Sequence, residues 1–339
     1  MLSSNDQKQR TEIELQEAGT EEPSHEPAEC RVCGNESGNK IHQAKEMRFG
    51  WRNSFDYIEC ANCGCVAIAR IPMDIERYYP TNYYSFHSKE SGVRGLASRL
   101  RMQAYFGRGF GLGSWLAAHY PRQDLAAIAH MGIPRDCRIL DVGCGAGKLL
   151  LQLSTVGYKN LTGVDPFVES DLDYGNGVRV KKCSLTDLAH TAKTSWDLIM
   201  FHHSFEHIPD QLETLQAVTR LLAPKGSCVI RIPIIGHAWE EYGTDWVQLD
   251  PPRHFFLHTE KSLEVLSQKA GLKVISIEHD SYSFQFWGSE LYRRGIPMST
   301  AGVPQRFFSA KQLRDFTQKS AELNAARRGD QAVFALSSC

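Results

Sequence analysis

The stretch Ile139-Leu140-Asp141-Val142-Gly143-Cys144-Gly145-Ala146-Gly147-Lys148-Leu149-Leu150 decides how the rest of the chain is read. It predicts a short apolar strand, Cys137 to Val142, three glycines at every second position, and an amphipathic helix, Lys148 to Val156. Glycine takes positive φ and has no Cβ, so such a turn lets a ligand come against the backbone, at the strand's carboxyl end and beside the helix N-terminus. The glycines mark a binding place.

What binds there follows from the spacing. A dinucleotide fingerprint needs G-x-G-x-x-G to seat a pyrophosphate; here the pattern is D-x-G-x-G-x-G. This acidic-first, tighter spacing resembles motif I of the class I methyltransferases that use S-adenosylmethionine, a sulfonium cation without a phosphate. A carboxylate such as Asp141 suits a cation and repels a pyrophosphate.

The alternation downstream is that of a doubly wound sheet. Strands are expected at Asn160 to Asp165, Val178 to Cys183, Trp196 to His202 and Gly226 to Pro233, with a helix from Gln211 to Leu222 before the last of these. Asp165 ends its strand about 20 residues beyond the glycines, where an acidic side chain can accept both ribose hydroxyls. The resemblance to the class I methyltransferases implies two further strands, Lys273 to His279 and Gln331 to Ser337, the second reversed, with a helical run from Ala310 to Arg327 between them. The fold expected is therefore α/β: a Rossmann-like, seven-stranded mixed sheet with helices on both faces, preceded by a small zinc ribbon.

The ribbon rests on two C-x-x-C pairs, Cys30/Cys33 and Cys60/Cys63, each followed by glycine. Two thiolates three residues apart can grip one metal, so in a reducing compartment this spacing argues for a tetrahedral four-cysteine site with structural Zn2+ and against disulfides. Cys65 is read as a bystander, and Phe49, Trp51, Phe55 and Tyr57 as the aromatic residues of the ribbon.

Residues from about 125 onward resemble a class I methyltransferase, and the front part resembles the zinc-binding segment that precedes some members acting on sugars and other small molecules. The resemblance implies that Asp141, Gly143, Gly145 and Gly147 line the methionine and sulfonium end, that Asp165 takes the ribose, and that Ser184 and Leu185 border the adenine. The family usually has an acidic residue where Ser184 stands; the serine hydroxyl, the Leu185 amide or Asp187 are the substitutes available. His202, which ends the fourth strand, falls on the cofactor side.

The chemistry is expected after that strand, in Phe201-His202-His203-Ser204-Phe205-Glu206-His207-Ile208-Pro209. S-adenosylmethionine carries an activated methyl group, so the protein has mainly to align a nucleophile, and a base helps where that nucleophile is a hydroxyl or a carbon acid. Histidine fits near neutral pH. If this segment is helical, His203, Glu206 and His207 share one face and could hold a second divalent metal. In Asp250-Pro251-Pro252-Arg253-His254, which leads to a helix from Glu260 to Ala270 capped by Thr259, His254 is a further base candidate, favoured as part of a covering loop, and Arg253 an anchor for an anionic group. Trp239, Tyr242 and Trp246 either stack on a sugar or cover the core.

Composition bounds these readings. In 339 residues with 42% hydrophobic content there is room for a large domain and a smaller one. A net charge of -1 gives no basic footprint for nucleic acid. No apolar run approaches the roughly 20 residues of a membrane span, and the polar start Met1 to Gln9 is no signal peptide, so a cytoplasmic protein is expected. The expected layout is a disordered tail over 1–29, the ribbon over 30–70, a helical and aromatic connector over 71–124 in which Tyr83 and Tyr84 stay open as substrate contacts, and the methyltransferase domain over 125–339. The function expected is methyl transfer to a hydroxyl or carbon of a small molecule, such as a sugar. The alternatives are an RNA or protein methyltransferase that uses the ribbon for recognition, and a cofactor-binding scaffold without catalysis.

Overall fold

In the computed structural model, residues 29–79, 93–107, 111–119, 128–129 and 131–339 are described; the expected tail up to residue 28 and the stretch with Tyr83 and Tyr84 lie outside them. The strands are β1 Lys40–Lys45, β2 Ser54–Glu59, β3 Val66–Ile68, β4 Arg138–Val142, β5 Asn160–Val164, β6 Leu172–Asp173, β7 Val178–Lys181, β8 Trp196–His202, β9 Leu222–Pro233, β10 Phe256–Leu257, β11 Leu272–His279 and β12 Gln331–Ser338. The larger sheet has the order β11-β12-β9-β8-β4-β5-β7-β6. Strands β9, β8, β4, β5 and β7 are parallel neighbours, and β12 runs antiparallel to both β9 and β11, as the family resemblance implies. The seven expected strands are joined by one more, the two-residue β6, which pairs antiparallel with β7 and is too short to show a period.

Both faces of this sheet are covered, so its strands read as apolar runs without a solvent face. In β8, Leu198 and Met200 pack on one side with Ile139, Leu161 and Val229, while Ile199 and Phe201 pack on the other with Leu140, Val164 and Ile230. Truncating one of these to alanine costs about 2–5 kcal/mol. The helix Lys148–Thr155 begins at Gly147, whose left-handed φ of 72° a side chain would strain, and ends before Gly157 at φ 101°.

The strands β1, β2, β3 and β10 form a second, antiparallel sheet. Its fourth strand comes from the loop after β9, so the ribbon borrows part of its sheet from a segment about 190 residues away: Phe256 pairs with Ala67 and Leu257 with Val66. The cores are continuous as well, since Tyr57, Val66 and Ile68 belong to the same buried cluster as Leu140 and Ile230. Polar ties finish the seam. Thr259, which caps the helix Glu260–Lys269 as expected, donates its hydroxyl to the Cys63 carbonyl at 2.6 Å, and Lys269 donates to the Val32 carbonyl at 2.8 Å.

Candidate active site and cysteine cluster

The order of the parallel strands reverses around β4, which makes the carboxyl ends of β4, β5 and β8 the place where such sheets bind ligands. The glycine turn leaves β4 with φ of 73°, 54° and 72° at Gly143, Gly145 and Gly147. A Cβ on Gly143 would stand 2.5 Å from the Ser204 Cβ, because the loop after β8 closes down on the turn and Ser204 donates its hydroxyl to the Val142 carbonyl at 2.6 Å. Asp165 shapes the turn from the other side. Its carboxylate accepts from the Gly145 amide at 2.8 Å and from the Phe167 amide at 2.9 Å.

Asp141 is buried beneath this turn. Burial first, and Asp165 second, push its carboxyl up to about 8, so both influences favour a positive ligand. Ser184 accepts from the Asp187 amide at 3.1 Å, and its own amide donates to the Asp187 carboxylate at 3.2 Å. Ser184 and Asp187 thus spend their side chains capping the helix Leu185–Thr191, and the amide of Leu185, in the first turn of that helix, is left for a ligand. His202 ends β8 at the same sheet edge.

The segment that follows is not the α-helix on which a shared face of His203, Glu206 and His207 depends. His203 takes a left-handed φ of 51°, Ser204 has a φ of -136° outside the helical range, and only Phe205–His207 makes a short 3-10 turn. The face His203, Glu206, His207 is therefore not made, and the third partner is supplied by the loop after β9. The Phe255 amide donates to the Glu206 carbonyl at 2.8 Å, which sets His254 beside Glu206 and His207. Candidate ligand atoms of Glu206, His207 and His254 all lie within 4.8 Å of one another.

Both imidazoles are held by carbonyls. His254 donates Nδ1–H to the Gln248 carbonyl at 2.7 Å and His207 donates Nδ1–H to the Arg253 carbonyl at 2.7 Å, so each keeps a bare Nε2. The two rings meet edge to face with centroids 4.8 Å apart. His254 is no free residue on a covering lid: it is buried, and burial first, then His207, lowers its pKa to about 4. His207 is half-buried, with the Tyr79 hydroxyl 3.0 Å from its Nδ1. Glu206 is wholly buried, and neither of its oxygens has a hydrogen-bond partner among the described residues. Burial works to raise its pKa, but His203, His207 and His254 outweigh it and hold the carboxyl at about 2.

Arg253 does not reach out to an anion. Its guanidinium is completely buried, fork-bonded to Asp250 at 2.6 and 2.9 Å and bonded to Glu46 of the ribbon at 3.1 Å. Glu46 also accepts from the Phe49 and Trp51 amides at 2.9 and 3.0 Å. Removing one member of such a buried group leaves a bare charge and costs about 3–5 kcal/mol. Trp239, Tyr242 and Trp246 are buried too; Trp246 donates to Asp330 at 2.8 Å, which makes them core cover.

Cys30, Cys33, Cys60 and Cys63 converge with their sulfurs within 4.8 Å of one another. The Cys30–Cys63 and Cys33–Cys60 sulfurs are 3.7 and 3.5 Å apart, unbonded. A zinc–sulfur bond of about 2.3 Å gives a tetrahedron with edges of about 3.8 Å, so the donor set fits zinc. The two knuckles repeat one geometry: Gly34 donates to the Cys30 carbonyl at 2.8 Å and Gly64 to the Cys60 carbonyl at 2.9 Å. Cys65 is buried outside the four, its thiol pushed up by burial.

Comparison with known proteins places one domain. Residues 116–277 match the model of a family described as a methyltransferase domain. The chain carries a methyltransferase domain. Its strand order and glycine turn agree with what the resemblance to class I implies. Among curated proteins, the ubiquinone biosynthesis O-methyltransferase of Colwellia psychrerythraea is 31% identical over 98 residues, 27% of this chain and 39% of that one. The protein of the same name from Nitrosospira multiformis is 29% identical over 160 residues, 43% of this chain and 66% of that one. The chain thus spans less than two thirds of the length of these relatives. Among solved structures, a protein titled a putative sarcosine dimethylglycine methyltransferase from Galdieria sulphuraria shares 15% identity at a TM-score of 0.42, covering 70% of this chain and 97% of that one, a likeness too distant to bear on function.

The sequence reading missed Ser204, Glu46, Tyr57 and Tyr79. Each acts through a contact far along the chain, which no local spacing announces.

Proposed function

We propose that this chain transfers a methyl group from S-adenosylmethionine to a hydroxyl or carbon acid of a small molecule. The observation that carries this is the placement of Glu206, His207 and His254 at the same sheet edge as the glycine turn, with Ser204 of their loop packed on Gly143. When bound, S-adenosylmethionine supplies a methyl group on positively charged sulfur. Asp141 offers the buried carboxyl that suits that charge, the glycines admit the amino-acid tail, Asp165 faces the ribose, and the Leu185 amide takes the adenine edge left without the family's acidic residue. On the acceptor side, His207 receives the proton at its bare Nε2. It is the more accessible of the two imidazoles, whereas burial makes His254 the weaker base. Glu206 then stabilises the imidazolium, and His254 packs the base in place.

The relatives' names favour oxygen as the acceptor atom and leave a sugar open. RNA or protein acceptors have less support, since the net charge of -1 supplies no basic surface and Arg31 and Lys269 of the ribbon seam are spent on carbonyls. A non-catalytic scaffold would leave the buried carboxylate of Glu206 without a task. We place structural zinc at the four-cysteine cluster and treat 30–70 as a module that the metal holds together and that completes the acceptor site through Glu46 and Tyr57.

A second reading is favoured by the two unpartnered oxygens of Glu206: with the bare Nε2 atoms of His207 and His254 they form a set that could hold a divalent ion. The experiment is a screen of phenols, sugars and other hydroxyl compounds with methyl-labelled cofactor, run with and without a chelator too weak to strip zinc from four cysteines. Label in a small molecule supports the proposal, and its loss with the weak chelator selects the metal reading. No transfer to any small molecule, with transfer to RNA or protein instead, overturns it.

A further inference from the structure

Behind Glu206 runs a row of polar groups that methyl transfer, as drawn above, does not use. Arg231, near the end of β9, is buried, with its Nε donating to Asp280 at 2.6 Å and its Nη1 donating to the Nε2 of His203 at 2.7 Å. A guanidinium has no lone pair to offer, so the Nε2 of His203 must accept, and the proton of the neutral ring then sits on Nδ1. That Nδ1 lies 3.4 Å from Oε1 of Glu206.

The row is anchored at its far end. Asp280 accepts from the Gln331 side chain at 2.7 Å, and its amide donates to the Gln331 carbonyl at 3.1 Å, which ties the row to β12. At the near end His203 is tied to Arg231 a second time, its amide donating to the Arg231 carbonyl at 2.9 Å. This grip holds a non-glycine residue at φ 51°, in the left-handed region that side chains seldom adopt. A purely structural Arg–Asp pair between β9 and the end of β11 would need neither the ring of His203 nor its strained backbone.

We propose that Arg231, backed by Asp280, is a positioning residue that fixes the tautomer of His203, keeping its proton on the Nδ1 that lies 3.4 Å from Glu206, an electrostatic contact without hydrogen-bond geometry. His203 is thereby removed from the list of bases, since its only lone pair is taken. What it does is set the positive end of the Nδ1–H dipole next to the buried Glu206 carboxylate, which stands beside His207 and His254 when one of them becomes positive. The inference rests on the reading of that cluster as the acceptor side, yet its structural half can be tested alone.

The test is long-range 1H–15N spectroscopy of the 15N-labelled full chain, with the His203 signals assigned by their loss in His203→Gln. The expected result is a ring with protonated Nδ1 and bare Nε2. In Arg231→Gln the ring should shift toward the Nε2–H form, and kcat should fall at least about 10-fold, as expected for a misplaced imidazole proton. Acceptor KM and cofactor affinity should change less than about twofold, because neither ligand touches Arg231. An Nε2–H ring in the wild-type protein overturns the proposal, as does an Arg231→Gln chain with wild-type kcat. If no acceptor is ever methylated, the functional reading fails while the wild-type tautomer still decides this one.

Discussion

The hydroxyl of Tyr57, on the second strand of the cysteine ribbon, donates to the main-chain oxygen of His254 at 2.9 Å, across 197 residues of sequence. Both groups are buried, and next to them Arg253 joins Asp250 to Glu46. The ribbon is thus built into the loop that carries a proposed acceptor-side histidine.

Tyr57→Phe tests that relationship. It leaves the buried His254 carbonyl without its hydrogen-bond donor, which should cost about 1–3 kcal/mol. Turnover should fall while S-adenosylmethionine affinity stays near wild type, because the glycine turn lies outside the seam. Denaturant unfolding and a binding titration check this, and an unchanged midpoint would remove the seam from the account.

Metal removal tests it from the other end. One zinc per chain should co-purify, and Cys33→Ser or Cys63→Ser should release it and loosen the ribbon, because the binding energy of such a site is also folding energy. With the seam loosened, proteolysis should cut first at residues 250–256. Metal analysis finding four reactive thiols and no zinc in the native protein would contradict this.

Asp141 gives a pH dependence whose sign is fixed. Its carboxyl stands at about 8 in the cofactor-free protein, pushed up by burial and by Asp165, so at pH 7 it is largely protonated. A sulfonium ligand favours the ionised form, so binding expels a proton and weakens as pH falls below about 8, by up to about 10-fold per unit. Calorimetry at pH 7 in two buffers of different ionisation heat should report proton release, and Asp141→Asn should abolish it. Release that survives in the variant would assign the proton elsewhere.

Gly143→Ala tests the cradle itself. The new methyl would meet the Ser204 Cβ at 2.5 Å on a backbone with φ 73°. Cofactor binding should be lost or fall at least about 10-fold, and Gly175→Ala, at a turn with open space around it, should leave binding intact although its own positive φ is strained. Equal affinity in both variants would show that the turn does not shape the site.

How much of this was legible in the sequence varies with the range of the interaction. The glycine turn, the parallel strands and the four cysteines announce themselves because each is a local pattern: a spacing, an apolar run, a pair of C-x-x-C knuckles. The reversal of β12 came only with the resemblance to the family. The helical condition for His203 to His207 is not met for a physical reason: His203, bonded to Arg231, sits in the left-handed region, and the Arg253 carbonyl holds His207. The same loop hid β10, whose two residues have no period of their own and are a strand only because β3 lies beside them. Arg253, exposed by any count of charge, is buried because Glu46 waits for it 207 residues away.

The central claim is that the glycine turn and Asp141 hold S-adenosylmethionine, and a calorimetric titration of the purified chain tests it most directly. The account predicts saturable binding of S-adenosylmethionine and of its demethylated product at one per chain, weakened in Asp141→Asn, with no heat from NAD. Saturable NAD binding with no response to S-adenosylmethionine would contradict it.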